Sequence, residues 1–277
     1  MTMQLDFTTT AHVFNPFLLT SALIPKPRAA FCQWFEDFGR RLAPADLGNV
    51  PLYCVDAALS GPGQTMGLGG EDVDLAYRRQ IGHRWKGRGA CLALDLEQVA
   101  DNAAREEGNE EAHKAVFVRH AIGLALHELG HALQRPRLFN PDSDQAQMEK
   151  ALRCCIETPG EELPDCDVAW SGHDGQFLRV LAHVEYRAKL LLGFPVEAYS
   201  FAGLAYRLSP PAAYRQAIAD EPKELAGEPL TAVRATCPPR PFIELWRGDV
   251  ERWFQPLALP SRFQIAAREA ALSLFQE

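Results

Sequence analysis

Residues 110 to 134, EEAHKAVFVRHAIGLALHELGHALQ, constrain this chain more than any other stretch. Val116, Phe117, Ile122, Leu124, Leu126, Leu129 and Leu133 recur at helical spacing on more than one side. A helix wet along one face does not look like this, so the spacing predicts a central helix over roughly Glu110–Gln134. Pro136 and Pro141 stop it. Near its end His127 and His131 stand four residues apart, with Glu128 beside the first.

The rest of the chain has the means to bury such a helix. It has 277 residues, of which 47% are apolar and 23% charged, enough for one large domain or a domain with an extension. "AAFCQWFEDFGRRLA" predicts an amphipathic helix with Phe31, Trp34, Phe35 and Phe38 on one stripe. "PLYCVDAAL" and "ACLALDLEQV" read as strands, and "SGPGQTMGLGGED" between them as a turn-rich loop. "DNAAREEGNEEA" reads as the polar opening of the central helix, with Asn109 as its cap. A variable stretch over roughly 142–169 follows the central helix. "WSGHDGQFLRVLAHVEYRAKLLLGFP" then begins as a turn and becomes a helix that stops near Gly193 and Pro195. The last eighty or so residues are proline-punctuated and helical in pattern, most clearly in "FIELWRGDVERWF" and "RFQIAAREAALSLF".

Charge and cysteines narrow the function classes. A net charge of −8 gives no general attraction to phosphate backbones, so nucleic acid is not an expected partner. No stretch is long and apolar enough to span a bilayer, and the N-terminus lacks the pattern of an export signal. Seven cysteines without paired spacing point to reduced thiols, and the expectation is a cytoplasmic protein.

On a helix, positions i and i+4 differ by about 40° in direction and about 6 Å in height. Two imidazoles at that spacing can converge on one ion at zinc–nitrogen distances of about 2.0–2.1 Å. Glu128 points about 100° away, badly placed to ligate with both histidines but able to reach a water on the metal. The bland alternative is a pair of solvated helix histidines. Against it stands the apolar surround, where two imidazoles and a carboxylate are costly to bury without a partner. Gly130 also costs about 1 kcal/mol relative to alanine in mid-helix, yet lets another segment approach beside the histidines.

His127, Glu128 and His131 match H-E-x-x-H, and the chain resembles the zincin metallopeptidases, whose motif helix packs under a small sheet. The resemblance implies an α+β, zincin-like fold with Zn2+ held by His127 and His131, Glu128 as general base, and a protein or peptide as substrate. His173, in "WSGHDGQF", resembles the third ligand of the SprT-like zincins, where an H-G-x-x-F segment supplies it; here Asp174 stands in the place of the glycine. On this reading residues 1–195 form the metallopeptidase domain, with an insertion around 142–169, and 196–277 form a helical C-terminal extension.

Three other residues compete with His173 for the third position. Glu149, in "AQMEKAL", resembles the glutamate of the ImmA/IrrE-type peptidases. Cys91 stands before the motif, as a cysteine does in peptide deformylases. Glu185 resembles a gluzincin acidic ligand. His183 is a candidate partner for a ligating imidazole, and Arg179, Tyr186 and Tyr199 are candidates to steady an oxyanion. Two rival functions remain open: a protein-binding module stapled by its metal, and a deformylase-like hydrolase of small amides.

Overall fold

The computed structural model of the chain describes residues 25–66, 73–106, 110–134, 175–198 and 209–254. It is a mixed α and β structure, with a three-stranded sheet among the described residues. Strands β1 (Leu52–Asp56), β2 (Gly63–Met66) and β3 (Ala90–Leu94) lie in the order β1-β3-β2. β1 runs parallel to β3, with Leu52 opposite Ala90, and β2 runs antiparallel to it, with Gly63 opposite Leu94. β1 and β3 are buried on both faces, which is why they read as continuous apolar runs rather than alternating ones.

Strand alternation divides the interior in two. Leu52, Cys54, Ala90, Leu92 and Leu94 face the main core, which they share with Leu124, Ala125 and Leu129 of α5 (Glu110–Gln134). Tyr53, Val55, Cys91 and Ala93 face the opposite way, into a smaller cluster with Val73 and Ile81. Helix α1 (Pro25–Leu42) buries the predicted aromatic stripe against the main core. It also guards the outer edge of β1. The Cys54 N–H donates to Glu36 Oε1 at 2.9 Å, and the other oxygen of Glu36 pairs with Arg84. Filling that edge with a charged pair blocks the addition of another strand there. Helix α2 (Pro44–Leu47) and helix α3 (Leu75–Ile81) complete this half.

Two local expectations are corrected. Part of the turn-rich loop, residues 63–66, is strand β2, because backbone pairing to β3 overrides its glycine-rich composition. The strand expected over "ACLALDLEQV" ends at Leu94, and α4 (Leu96–Glu106) begins just after it, so "DNAARE" closes α4 rather than opening α5. Asp95 is the reason: its Oδ1 accepts from Gln98 N at 2.9 Å, the bond of a helix N-cap. Leu96, Val99 and Ala103 then form a buried stripe. Helix α5 spans the residues expected of it. Among the described residues no helix is long and apolar enough to cross a membrane.

Helix α6 (Gly175–Leu192) packs across α5 and divides two sets of contacts. Phe177 and Leu181 meet α5 at Gly130. Arg179, His183 and Arg187, one turn apart on a different face, are buried against the C-terminal helices α7 (Pro211–Ala217), α8 (Glu221–Glu224) and α9 (Leu230–Ala235), or the backbone beside them. Helix α10 (Arg240–Phe254) covers α7, placing Phe242 on Tyr214. These helices share the main core through Tyr214, Ile218, Leu230 and Phe242. Asp46 of α2 ties them further, accepting from Leu230 N and Thr231 N at 2.9 Å each, at the start of α9. "RFQIAAREAALSLF" and Asn109 lie outside the described residues.

Candidate metal centre

The histidines of α5 converge. His127 Nε2 and His131 Nε2 are 3.2 Å apart, and their rings meet edge to face. Two nitrogens held by one tetrahedral zinc at about 2.0–2.1 Å stand about 3.3 Å from each other. The separation therefore fits a shared ion. It also fits an N–H···N hydrogen bond in which one imidazole donates, and metal content distinguishes the two. His127 and Glu128 are buried, whereas His131 is half-buried.

Phe177 fixes both rings. It stacks on His131 with centroids 4.1 Å apart and meets His127 edge-on at 5.0 Å. Gly130 makes this possible. A Cβ there would lie 3.3 Å from both Leu181 Cδ1 and Phe177 Cε2, so α6 is the segment that the mid-helix glycine admits.

Strand β2 holds Glu128. The Thr65 hydroxyl lies 2.8 Å from Glu128 Oε2 and 2.9 Å from the Glu128 carbonyl, one donor proton between two acceptors. Two residues earlier on the same face, Gly63 leaves the seat for the other oxygen. A Cβ on Gly63 would stand 2.5 Å from Glu128 Oε1 and 2.9 Å from Leu124 Cδ1. Gly63→Ala should accordingly cost about 1–3 kcal/mol by overpacking. Urea unfolding of the variant beside the parent measures that cost, and an unchanged midpoint would show that the seat has room to spare. Neither Gly63 nor Thr65 stood out in the sequence. A glycine and a threonine in a loop-like composition carry no signal until β2 is laid over α5.

The competing residues are placed as follows. Cys91 lies in the cluster on the far face of the sheet from α5. Burial, with smaller contributions from Glu36 and Cys32, pushes its thiol up to about 12. Glu185 accepts from Ala198 N and pairs with Arg215 at 3.2 Å. His183 Nε2 lies 2.8 Å from Glu221 Oε1, so that imidazole serves Glu221 rather than a ligating histidine. Arg179 is engaged by Glu221 and Thr236, which removes it from the oxyanion candidates. Tyr186 is half-buried on α6. His173, Glu149 and Tyr199 lie outside the described residues. Among the described residues no group of three or more His, Cys, Asp or Glu side chains is arranged to hold a metal ion.

Comparison with known proteins finds no matching family model, no matching curated protein and no matching solved structure.

Proposed function

We propose that the chain is a zinc-dependent peptidase with a zincin-like, SprT-like core, hydrolysing peptide bonds in protein substrates. The observation that carries the reading is the 3.2 Å approach of His127 and His131 Nε2 beside a carboxylate held in place by a strand. His127 and His131 are two of the ligands, and His173 is the third. Chain reach supports the last assignment. Phe177 touches both imidazoles, and His173 is two residues before Gly175, the first residue of the same helix, a reach of at most about 7 Å from it.

Zinc, when bound, supplies Lewis acidity toward water and toward a carbonyl. Glu128 carries the proton. Its carboxylate accepts one from the attacking water and returns it to the departing amine nitrogen, so the base of the first step is the acid of the second. Phe177 keeps the imidazoles from rotating away. Strand β2 offers the substrate a seat, since among the described residues it pairs with β3 alone. An extended peptide can add to its outer edge through backbone hydrogen bonds. The opposite edge of the sheet is closed by Glu36 and Arg84.

Metal content tests the reading before any substrate is known. The purified protein should carry about one zinc per chain. His127→Ala, His131→Ala and His173→Ala should lose it, and Cys91→Ser should keep it. A parent that holds no divalent ion and takes none up on dialysis against zinc would sink the proposal. Loss of zinc in Cys91→Ser but not in His173→Ala would move the third ligand.

A further inference from the structure

Thr65 has a second relation to the site, set by the register of β2. The Asp95 N–H donates to Pro62 O at 2.9 Å, one residue before β2, which makes Pro62 and Asp95 opposed residues joined by a backbone hydrogen bond. Antiparallel pairs alternate, so Gly63 opposite Leu94 and Thr65 opposite Leu92 are pairs that do not bond to each other. Their backbone groups point away from the shared edge. Leu94 bears this out, because its carbonyl accepts from Ala57 N, away from β2. Gly63 and Thr65 therefore turn their N–H and C=O groups to the outer edge of β2. On the same two residues the inner face holds Glu128: Oε1 under Gly63 and Oε2 on the Thr65 hydroxyl.

We infer that Thr65 is a positioning residue, whose hydroxyl holds the Glu128 carboxylate while its backbone receives an extended peptide at the edge of β2 that no strand pairs among the described residues. This rests on the hydrolytic reading above. The two tasks use different atoms of one residue. A strand laid on β2 exchanges backbone hydrogen bonds with Thr65, which draws the scissile region to the place where the base is fixed. Without the hydroxyl the carboxylate keeps the room above Gly63 but loses the Thr65 donor that fixes Oε2.

Separable atoms give separable kinetics. Thr65→Val keeps the shape and the backbone and removes the donor; Thr65→Ser restores the donor. With a fluorescently labelled, denatured casein as substrate and zinc-loaded protein, Thr65→Val should lower kcat roughly tenfold, the scale of one hydrogen bond to a charged group. KM should be unchanged, and Thr65→Ser should return kcat to within about twofold of the parent. Zinc content, measured on the same samples, should match across the three proteins, and Thr65→Ser should restore whatever melting temperature Thr65→Val loses. Unchanged kcat in Thr65→Val, a serine variant as slow as the valine one, or a rise in KM alone would overturn the assignment while leaving the hydrolytic reading intact. A zinc-loaded parent that cleaves no faster than Glu128→Gln would overturn both.

Discussion

Glu128→Gln should abolish turnover while leaving the metal in place, with kcat falling by about 10²–10⁴-fold, the usual contribution of a general base. The amide keeps the length of the side chain and an oxygen able to accept from the Thr65 hydroxyl, so the cradle made by β2 survives. It loses the capacity to take a proton. His127 and His131 should stay converged, because the ring of Phe177 packed against both is untouched by the substitution. Zinc per chain should therefore match the parent. Cleavage of a denatured-protein panel checks the result: equal rates in parent and variant would remove Glu128 from the mechanism, even if zinc were bound. A parent that binds zinc and cleaves nothing would instead favour a metal-stapled binding module.

The motif was legible because helical geometry alone puts positions 127 and 131 on one side of the helix one turn apart, within reach of a common ion. The central placement of α5 was legible for a similar reason, since leucines on several sides of one helix have to be covered. Gly130 signalled a close approach, although only the packing identifies Phe177 and Leu181 as what approaches. What holds Glu128 was hidden. Gly63 and Thr65 act through strand register and through contacts more than sixty residues away along the chain, and their local composition argues for a turn. Asp95 was misread for the opposite reason. A cap residue inside an apolar run looks like the polar end of a strand until its carboxylate is seen on Gln98 N. His183 and Arg179 look like active-site candidates when they are counted along the chain from the motif. The helical period separates them, turning both away from the face of α6 that carries Phe177 and Leu181.

That second face of α6 carries the largest stability effect expected of a single change. Glu221→Ala should destabilise the protein by about 3–5 kcal/mol, because it leaves the wholly buried guanidinium of Arg179 without its counter-ion. In a chain of this size the melting temperature should fall by on the order of 10 °C. The contacts with Thr236 that remain to Arg179 satisfy hydrogens but not charge. Replacing both partners, Arg179→Met with Glu221→Leu, should recover part of the loss, since the desolvation cost then disappears along with the attraction. A double variant no more stable than Glu221→Ala would show that the pair acts through shape instead.

The same cluster sets a direction with pH. Burial lowers the His183 pKa below its ordinary 6.5, and the hydrogen bond and charge of Glu221 push back only in part. Burial would raise Glu221, but the hydrogen bond with His183 and the charge of Arg179 outweigh it, so that its pKa lies below 4.5. Both groups bind protons more readily in the unfolded chain. Their contribution is complete above about pH 6.5, begins to fall as His183 of the unfolded chain protonates, and falls again below about 4.5 with Glu221. Urea unfolding at pH 7.5, 5.5 and 4 should show stability decreasing in that order, with the step below 4.5 reduced in Glu221→Ala. The effect reaches the histidines through α6. The helix that Arg179 and His183 anchor on one face is the one that sets Phe177 against His127 and His131 on another. Arg234 of α9 binds the Leu133 carbonyl at 2.8 Å, two residues past His131, and so braces the end of the motif helix from the same C-terminal layer. Glu221→Ala should thus weaken zinc binding although it touches no ligand, whereas full zinc affinity in a variant that melts lower would confine the cluster to stability.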